Sequence, residues 1–388
     1  MNVLLVVALG LIVYAYVGFP LLLMVRGRFA TRPVKREPIT PRVSIVIVAH
    51  NEAETIAPKL DNVNALDYPS EQIEVIVASD GSDDGTNERV AAAQRPGLRL
   101  LELPRSGKIP ALNAAVLHAT GDILVFSDAN SMYAPDALRE LVAPFADPTV
   151  GAVGGNQRYV SDGGEHMASF GERIYWSYDR MLKSLQSRIG SMTAATGAIH
   201  AIRRELFRPV PLGVSDDFMT STRAIRSGYR LAFAENAIAY ESVAGTERAE
   251  FSRKVRIATR GLRGIWLAKE LLNPLRYGFY SLQLLSHKLL RWSVCWLLLV
   301  VFVSSVASYG DGAAYRWLVH AQLILYACAL FGWALRHSSL SRFKAHKAFG
   351  IPFYFCLANY AALRAWMQVL GGKRVDRWDS LRQHAAGI

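Results

Sequence analysis

Cysteine is scarce in this chain: Cys295, Cys328 and Cys356 are the only three in 388 residues, and all lie in apolar C-terminal stretches. They supply neither a disulfide framework nor zinc-ligand spacing, so a reducing cytosol suits the polar part of the molecule. The phosphate-cradling pattern GxxxxGK[ST] is missing, which disfavours phosphoryl transfer by that route. No GxGxxG follows a strand, which weakens a dinucleotide reading. Internal repeats and low-complexity tracts are absent. Acidic residues are outnumbered, 32 to 44, leaving a net charge of +12. Much of that excess flanks apolar segments: Arg26, Arg28, Arg32, Lys35 and Arg36 after the first, and Arg336, Arg342, Lys344 and Lys347 later. This is the positive-inside pattern, suited to anionic membrane lipids, and no nucleic acid is expected as a partner.

With 51% apolar and 20% charged residues, two kinds of sequence must be segregated along the chain. Val3 to Val25 is uncharged and reaches the ~20 residues a spanning helix needs. No basic n-region precedes it, unlike a cleaved signal peptide. Residues 1–28 are therefore read as an N-terminal transmembrane helix, with the chain beyond it cytosolic. A polar, Pro-containing linker follows. Over 42–245 short apolar runs alternate with helical ones, which predicts an α/β domain: a mostly parallel sheet with helices on both faces.

Residues 246–291 carry Arg253, Lys254, Arg256, Arg260 and Arg263, and later His287, Lys288 and Arg291. They are expected as interfacial helices. The C-terminal membrane region is placed at 292–370, with spans at Trp292–Ser308 and Trp317–Leu335. The stretch 349–370 is long enough to span but holds Asn359 and Arg364 near its middle, where charge is costly. It is read as interfacial or re-entrant, ahead of a C-terminal tail, 371–388. The whole describes an integral plasma (inner) membrane protein with a cytosolic catalytic domain.

Chemistry concentrates where strands end. Ile123–Phe126 is a short buried strand leading into Ser127-Asp-Ala-Asn-Ser131, and ligands in open α/β sheets bind beyond such ends. Asp128 and Asn130, two apart, can both turn an oxygen toward one hard cation. Val43–Ala49 ends in His50-Asn51-Glu52, and Ile73–Ser79 ends in Asp80-Gly-Ser-Asp-Asp-Gly-Thr86. Leu98–Leu103 precedes Ser106-Gly-Lys-Ile-Pro-Ala-Leu-Asn113. A nucleotide fits this crevice, its base near Asn51, Glu52 and Asp80 and its diphosphate near Lys108 and Asp128. Asp80 can accept from a base imide, and Lys108 can pair with phosphate oxygens. The plainer reading of 80–86 is a turn and helix cap. His50 and His200 read as structural, and Tyr175, Trp176 and Tyr178 as either core or a sugar platform.

Taken together, Ala49-His-Asn-Glu52, DGSDDGT at 80–86, SGKIPALN at 106–113, SDANS at 127–131 and SDD at 215–217 resemble the ordered motifs of family-2 glycosyltransferases. The chain looks like the membrane-integrated, cellulose-synthase-like branch, with a GT-A catalytic domain over about residues 43–265. The resemblance implies an inverting transfer from a nucleotide-sugar donor, a UDP-sugar foremost, to a polysaccharide or lipid-linked acceptor. It implies that Asp80 holds uracil, that Asp128 is the first acid of a DxD motif binding Mg²⁺ or Mn²⁺, and that Asp217, paired with Asp216, is the general base. Two departures stand out. The second DxD acid is the neutral Asn130, and the QxxRW motif of processive members survives only as Arg253-Lys-Val-Arg256-Ile257. Arg256 or Arg260 then carries the positive charge near the diphosphate, and Trp266 substitutes for the missing aromatic. A processive synthase, with a polysaccharide-export partner, and a non-catalytic nucleotide-sugar-sensing scaffold are the alternatives. A transporter is disfavoured, because the spans are too few for inverted repeats.

Overall fold

A computed structural model describes residues 3–93, 95–160, 167–242, 247–336 and 346–372. The basic loop expected at 336–347 and the tail at 371–388 fall almost wholly outside them. Eight strands, β1 (Val43–Ala49), β2 (Ile73–Asp80), β3 (Leu98–Leu103), β4 (Ile123–Asp128), β5 (Met132–Tyr133), β6 (Val150–Val160), β7 (His200–Arg203) and β8 (Arg230–Ser242), form one sheet. The order is β3-β2-β1-β4-β7-β6-β8-β5. The first four are mutually parallel, as the alternating pattern predicts. Beyond β4 the sheet is mixed, since β7 runs antiparallel to both β4 and β6 while β6 and β8 are parallel.

Strand β1 shows why its sequence has no polar face. All seven of its residues are buried. Ile45 and Ile47 pack on one side with Ile56 and Leu60 of helix Ala53–Asn64, while Val46 and Val48 pack on the other with Ile109 and Leu112 of helix Lys108–Leu117. A strand covered on both faces must be apolar at every position, and β-branched residues suit that pleat. The register sets Val48 of β1 beside Asp128 of β4, so the chemistry-bearing ends lie at one edge. At the opposite edge the Glu74 carboxylate accepts from the Ser44 hydroxyl and from Gly121 N at 2.9 Å, tying β1, β2 and the entry to β4 together. Burial alone would push Glu74 up, but these bonds hold it below the usual carboxylate range.

Among the described residues three helices are long and apolar enough to cross a membrane: Val3–Phe29, Phe279–Ala307 and Ala313–Leu335. Phe19 and Leu23 of the first pack on Leu182 and Ile189 of helix Met167–Ile189, which docks the first helix to the α/β domain. The break expected at residue 291 does not occur, because Phe279–Ala307 is continuous. The polar residues that suggest an interfacial segment are turned into the protein. His287 is 3% exposed and bonds Asp179, and Lys288 and Arg291 turn to an internal cavity. The stretch read as interfacial or re-entrant is a single helix, His346–Leu370, laid against helix Glu247–Leu267. Thr259 donates to Gln368 at 2.9 Å, Phe251 stacks on Tyr360, and the Trp366 indole donates to the Trp292 carbonyl. The Asn359 amide bonds back to the Phe355 carbonyl at 2.9 Å and so remains satisfied within its helix.

Gly121 has no room for a side chain: a Cβ would lie 2.7 Å from Ser44 N and from the Val43 carbonyl carbon, both backbone atoms. Gly121→Ala is expected to destabilise the protein by about 1–3 kcal/mol, as overpacking does. It should lower the thermal transition of the full chain in detergent.

Candidate active site

Beyond the strand ends lies a cavity of about 660 Å³, with Asp128, Lys108, Asp216 and Asp217 at its head. Lys108 opens its helix, and its Nζ bonds Asp128 Oδ1 at 2.7 Å and Asp216 Oδ2 at 3.0 Å. Burial alone would push this ammonium down, but the two carboxylates hold it protonated, well above the ordinary lysine range. In return Lys108 holds Asp216 below the usual carboxylate range against its own burial.

Asp80, expected to hold the base, instead organises the loop that presents Lys108. It is fully buried, pairs with Arg105, and accepts from Ser106 N at 2.6 Å and Gly107 N at 2.9 Å. It does not line the cavity. The DGSDDGT segment also ties down the start of helix Ala53–Asn64, since Asp84 accepts from Ala53 N at 3.0 Å and Thr86 from Glu52 N at 2.9 Å, whereas the helix that the plainer reading has it cap, Thr86–Ala92, carries no side-chain cap. Asn51 holds a left-handed φ of 54°, a conformation asparagine tolerates, and exchanges two side-chain bonds with Asp83. It too lies off the cavity, whereas Glu52 lines it.

The two acids of 216–217 separate cleanly. Asp216 is buried and locked to Lys108. Asp217 is half-buried, and its Oδ1 accepts from the Ser215 hydroxyl and from Phe218 N at 2.7 Å. Its Oδ2 has no hydrogen bond among the described residues, and the residue lines the cavity. Both acids sit in the first turn of helix Asp216–Arg226, where the helix dipole favours negative charge.

A hard divalent cation fits the donor set at Asp128. Oδ2 of Asp128 has no hydrogen bond among the described residues and faces Gly197, where an added Cβ would come within 3.3 Å of it. The Asn130 amide donates to Glu241 at 3.3 Å, which leaves its carbonyl oxygen as a ligand. Burial and the charge of Asp128 push Glu241 up, a repulsion that a cation beside Asp128 would relieve. No group of three or more His, Cys, Asp or Glu side chains suited to a metal occurs among the described residues.

Arg256 and Arg260 also line the cavity. Trp266 does not; it is 73% exposed, so the aromatic wall comes from elsewhere. Tyr159 and Trp176, with ring centroids 5.0 Å apart, provide it, and Arg253 lies over Tyr159. Tyr178 lines the cavity as well, while the Tyr175 side chain lies outside the described residues. His200 is buried as a structural histidine, stacked on Phe126 at 4.9 Å, with Nδ1–H donating to the Thr196 carbonyl at 3.0 Å.

Sequence reasoning missed Glu241 and Lys59. Glu241 belongs to no motif, and only sheet pairing brings β8 to the cavity. Lys59 left a signal: it sits with Ile56, Leu60 and Val63 on the apolar face of its helix. It is wholly buried, with its ammonium over the Tyr133 ring at 4.0 Å and donating to the Ser131 carbonyl, which steadies the turn after Asp128. Burial lowers it to about 7.

Residues 44–210 match the family profile described as Glycosyl transferase family 2. An N-acetylglucosaminyltransferase of Rhizobium meliloti (strain 1021) is 27% identical over 263 residues, 63% of this chain and 61% of that relative. The present chain thus spans less than two thirds of that relative's length. A poly-beta-1,6-N-acetyl-D-glucosamine synthase of Staphylococcus epidermidis is 23% identical over 69% of this chain and 67% of its own. Among solved structures, the mannosyltransferase PcManGT from Pyrobaculum calidifontis, in complex with GDP-Man and Mn²⁺, superposes with a TM-score of 0.72. It is 26% identical, and the match covers 96% of this chain and 100% of that one.

Lys108→Met should leave Asp128 and Asp216 facing each other without a counter-charge. The expected cost is about 3 kcal/mol of stability, as when one partner of a buried pair is removed, and Lys108→Arg should recover part of it; thermal unfolding of the two variants measures both. Lys59 sets a pH dependence. The folded chain releases that proton near pH 7, while the unfolded chain holds it to the ordinary 10.5. The unfolded state therefore binds more protons between those values, and stability should rise with pH across the window by about 1 kcal/mol per unit at most. Thermal transitions at pH 7, 8 and 9 should climb in the parent and flatten in Lys59→Met.

Proposed function

From the premise that residues 44–210 are a glycosyltransferase family 2 domain on a GT-A-type sheet, we propose that this enzyme transfers N-acetylglucosamine with inversion at the inner membrane, from UDP-N-acetylglucosamine to a polysaccharide or lipid-linked glycan. One observation supports this above the rest. Asp128 and Asp217 line the same cavity, each with an Oδ2 that makes no hydrogen bond among the described residues, and Lys108 joins their neighbourhoods by bonding Asp128 and Asp216 at once. Donor chemistry and acceptor activation are thereby held on one rigid ion bridge. The names of the sequence relatives support the sugar, and the GDP-Man-bound neighbour defines the competing donor.

In this reading Asp128 and Asn130 hold Mg²⁺ or Mn²⁺, which when bound supplies charge neutralisation for the departing diphosphate. Arg256 and Arg260 add positive charge on that side, and Lys108 orients Asp128. Glu52 lines the nucleotide end. Tyr159 and Trp176 offer aromatic faces to the sugars. Asp217 Oδ2 accepts the proton of the acceptor hydroxyl as that oxygen attacks the anomeric carbon opposite the diphosphate, and the anomeric configuration inverts. Ser215 and Phe218 N bond Oδ1 and leave Oδ2 to the substrate. Asp216, tied to Lys108, keeps the bridge and takes no proton. The helices Val3–Phe29, Phe279–Ala307 and Ala313–Leu335 keep the reaction at the bilayer, with the catalytic domain on the cytosolic side.

Membranes containing the full chain should incorporate label from UDP-N-acetylglucosamine more readily than from GDP-mannose, and chelator should abolish incorporation. Asp217→Asn should lower kcat by about 10²–10⁴, the usual contribution of a positioned base, with donor KM little changed. Asp216→Asn should lose stability before it loses that factor. Nucleotide binding without any label transfer, in the presence of native lipid extract, would replace the transferase with a nucleotide-sugar sensor.

A further inference from the structure

A second cavity, of about 380 Å³, shares no lining residue with the one that holds Asp128 and Asp217. Its walls come from two places far apart in the chain. Arg223 and Arg226 lie in the last turn of helix Asp216–Arg226, and Ser227 follows them. Glu270, Arg276 and Tyr277 belong to the segment that joins helix Glu247–Leu267 to the span Phe279–Ala307.

Three guanidinium groups thus share this cavity with one carboxylate, and that carboxylate is taken: Glu270 pairs with Arg226 at 2.7 Å. Arg223 and Arg276 have no carboxylate partner among the described residues, and Arg276 lies over the Tyr277 ring at 5.3 Å. Ser227 and Tyr277 add hydroxyl groups that make no hydrogen bond among the described residues. A helix dipole favours cations in the last turn, which accounts for Arg223 and Arg226. It does not account for Arg276, which a separate segment brings to the same place. A lining rich in donors, with its single acid already spent, is complementary to an anion, and guanidinium forks match phosphate oxygens.

The cavity also lies where the membrane helices begin. Tyr277 and Gly278 immediately precede Phe279, the first residue of one span, and Arg26, in the last turn of another, lies over the Phe279 ring at 4.2 Å. The polar ends of two spans therefore meet at this level. Leu275, next to Arg276, is 97% exposed, and the exposed Trp266 carries Lys269 over its ring at 5.9 Å. Exposed apolar side chains interleaved with cations at the end of a span suit the headgroup layer, where an apolar group is partly withdrawn from water and a cation stays near anionic lipid.

We propose that this second cavity binds the phosphate group of an anionic lipid headgroup, with Arg223 and Arg276 as its anion ligands and Leu275 beside the acyl region. The proposal goes beyond the transfer reaction and does not depend on it, since none of these residues lines the cavity that holds Asp128 and Asp217. A soluble phosphoester carries the same group without chains, and Leu275 would then stay in water.

Titration of dioctanoyl phosphatidic acid into the purified, fluorescently labelled full chain in maltoside micelles tests the site, with glycerol 3-phosphate as the chain-free probe. Saturable binding of the lipid is expected, weakened about tenfold or more in Arg223→Gln and in Arg276→Gln. It should be unchanged in Arg99→Gln, which removes the same charge from an exposed position elsewhere. Glycerol 3-phosphate should bind only at much higher concentration. The two neutral substitutions fall on separate elements, and a thermal transition matching the parent shows that each variant is folded. Parent-like affinity in both, or an equal loss in Arg99→Gln, would overturn the site. Equal affinity for the two probes, lost in both arginine variants, would overturn its lipid character and assign it to a soluble phosphoester. Label transfer from UDP-N-acetylglucosamine plays no part in the readout, so failure of the transferase reading leaves this result intact.

Discussion

One ammonium group holds this catalytic domain's chemistry together. Lys108 sits between Asp128, at the end of a parallel strand, and Asp216, at the start of a helix more than a hundred residues later in the chain. Removed from bulk water, two carboxylates in such proximity would repel, and each would resist ionisation. With Lys108 between them that repulsion is offset, and the loop carrying Asp128 is tied to the helix carrying Asp217. Everything around the bridge serves its placement. Asp80, by accepting from two successive backbone N–H groups and pairing with Arg105, shapes the loop that aims Lys108. Lys59 steadies the turn after Asp128 from behind.

The bridge also divides the labour between adjacent acids. Asp216 and Asp217 are indistinguishable by residue type and sit in the same helical turn, yet one is spent on Lys108 and the other keeps an open oxygen toward the cavity. This division is the physical basis for giving Asp217 the base role in the proposed mechanism. A comparable division occurs at the DxD position. Asn130 cannot repel Asp128, and its amide anchors Glu241. The replacement of acid by amide thus lowers the local charge without removing an oxygen from the site.

Much of the architecture was legible in the residues. Val43–Ala49, apolar at every position, announces a strand covered on both faces, because a half-exposed strand would alternate. The strand-end motifs announce a common crevice, because parallel strands deliver their carboxyl ends to one edge. The segment 277–291 was misread for a physical reason. His287, Lys288 and Arg291 would be costly against lipid, but His287 bonds Asp179 and the other two line the cavity. Trp266 was offered as the missing aromatic because it lies close in sequence to Arg256. In space it points outward, and Tyr159 and Trp176, from β6 and helix Met167–Ile189, make the aromatic wall.

By itself, then, the sequence carried the family resemblance, the α/β class of the polar domain, the apolar segments and most of the acids and cations that line the crevice. These are properties of local pattern: periodicity, strand-end chemistry and runs of apolar residues. The tertiary structure alone decided which of those groups are free. Whether Asp80 faces a ligand or a loop, whether Asp217 or Asp216 keeps an open oxygen, and whether Lys288 meets lipid or a cavity all depend on partners far away in the chain. Hydrogen bonds and ion pairs saturate, and one-dimensional order cannot say which neighbour has already claimed a charge.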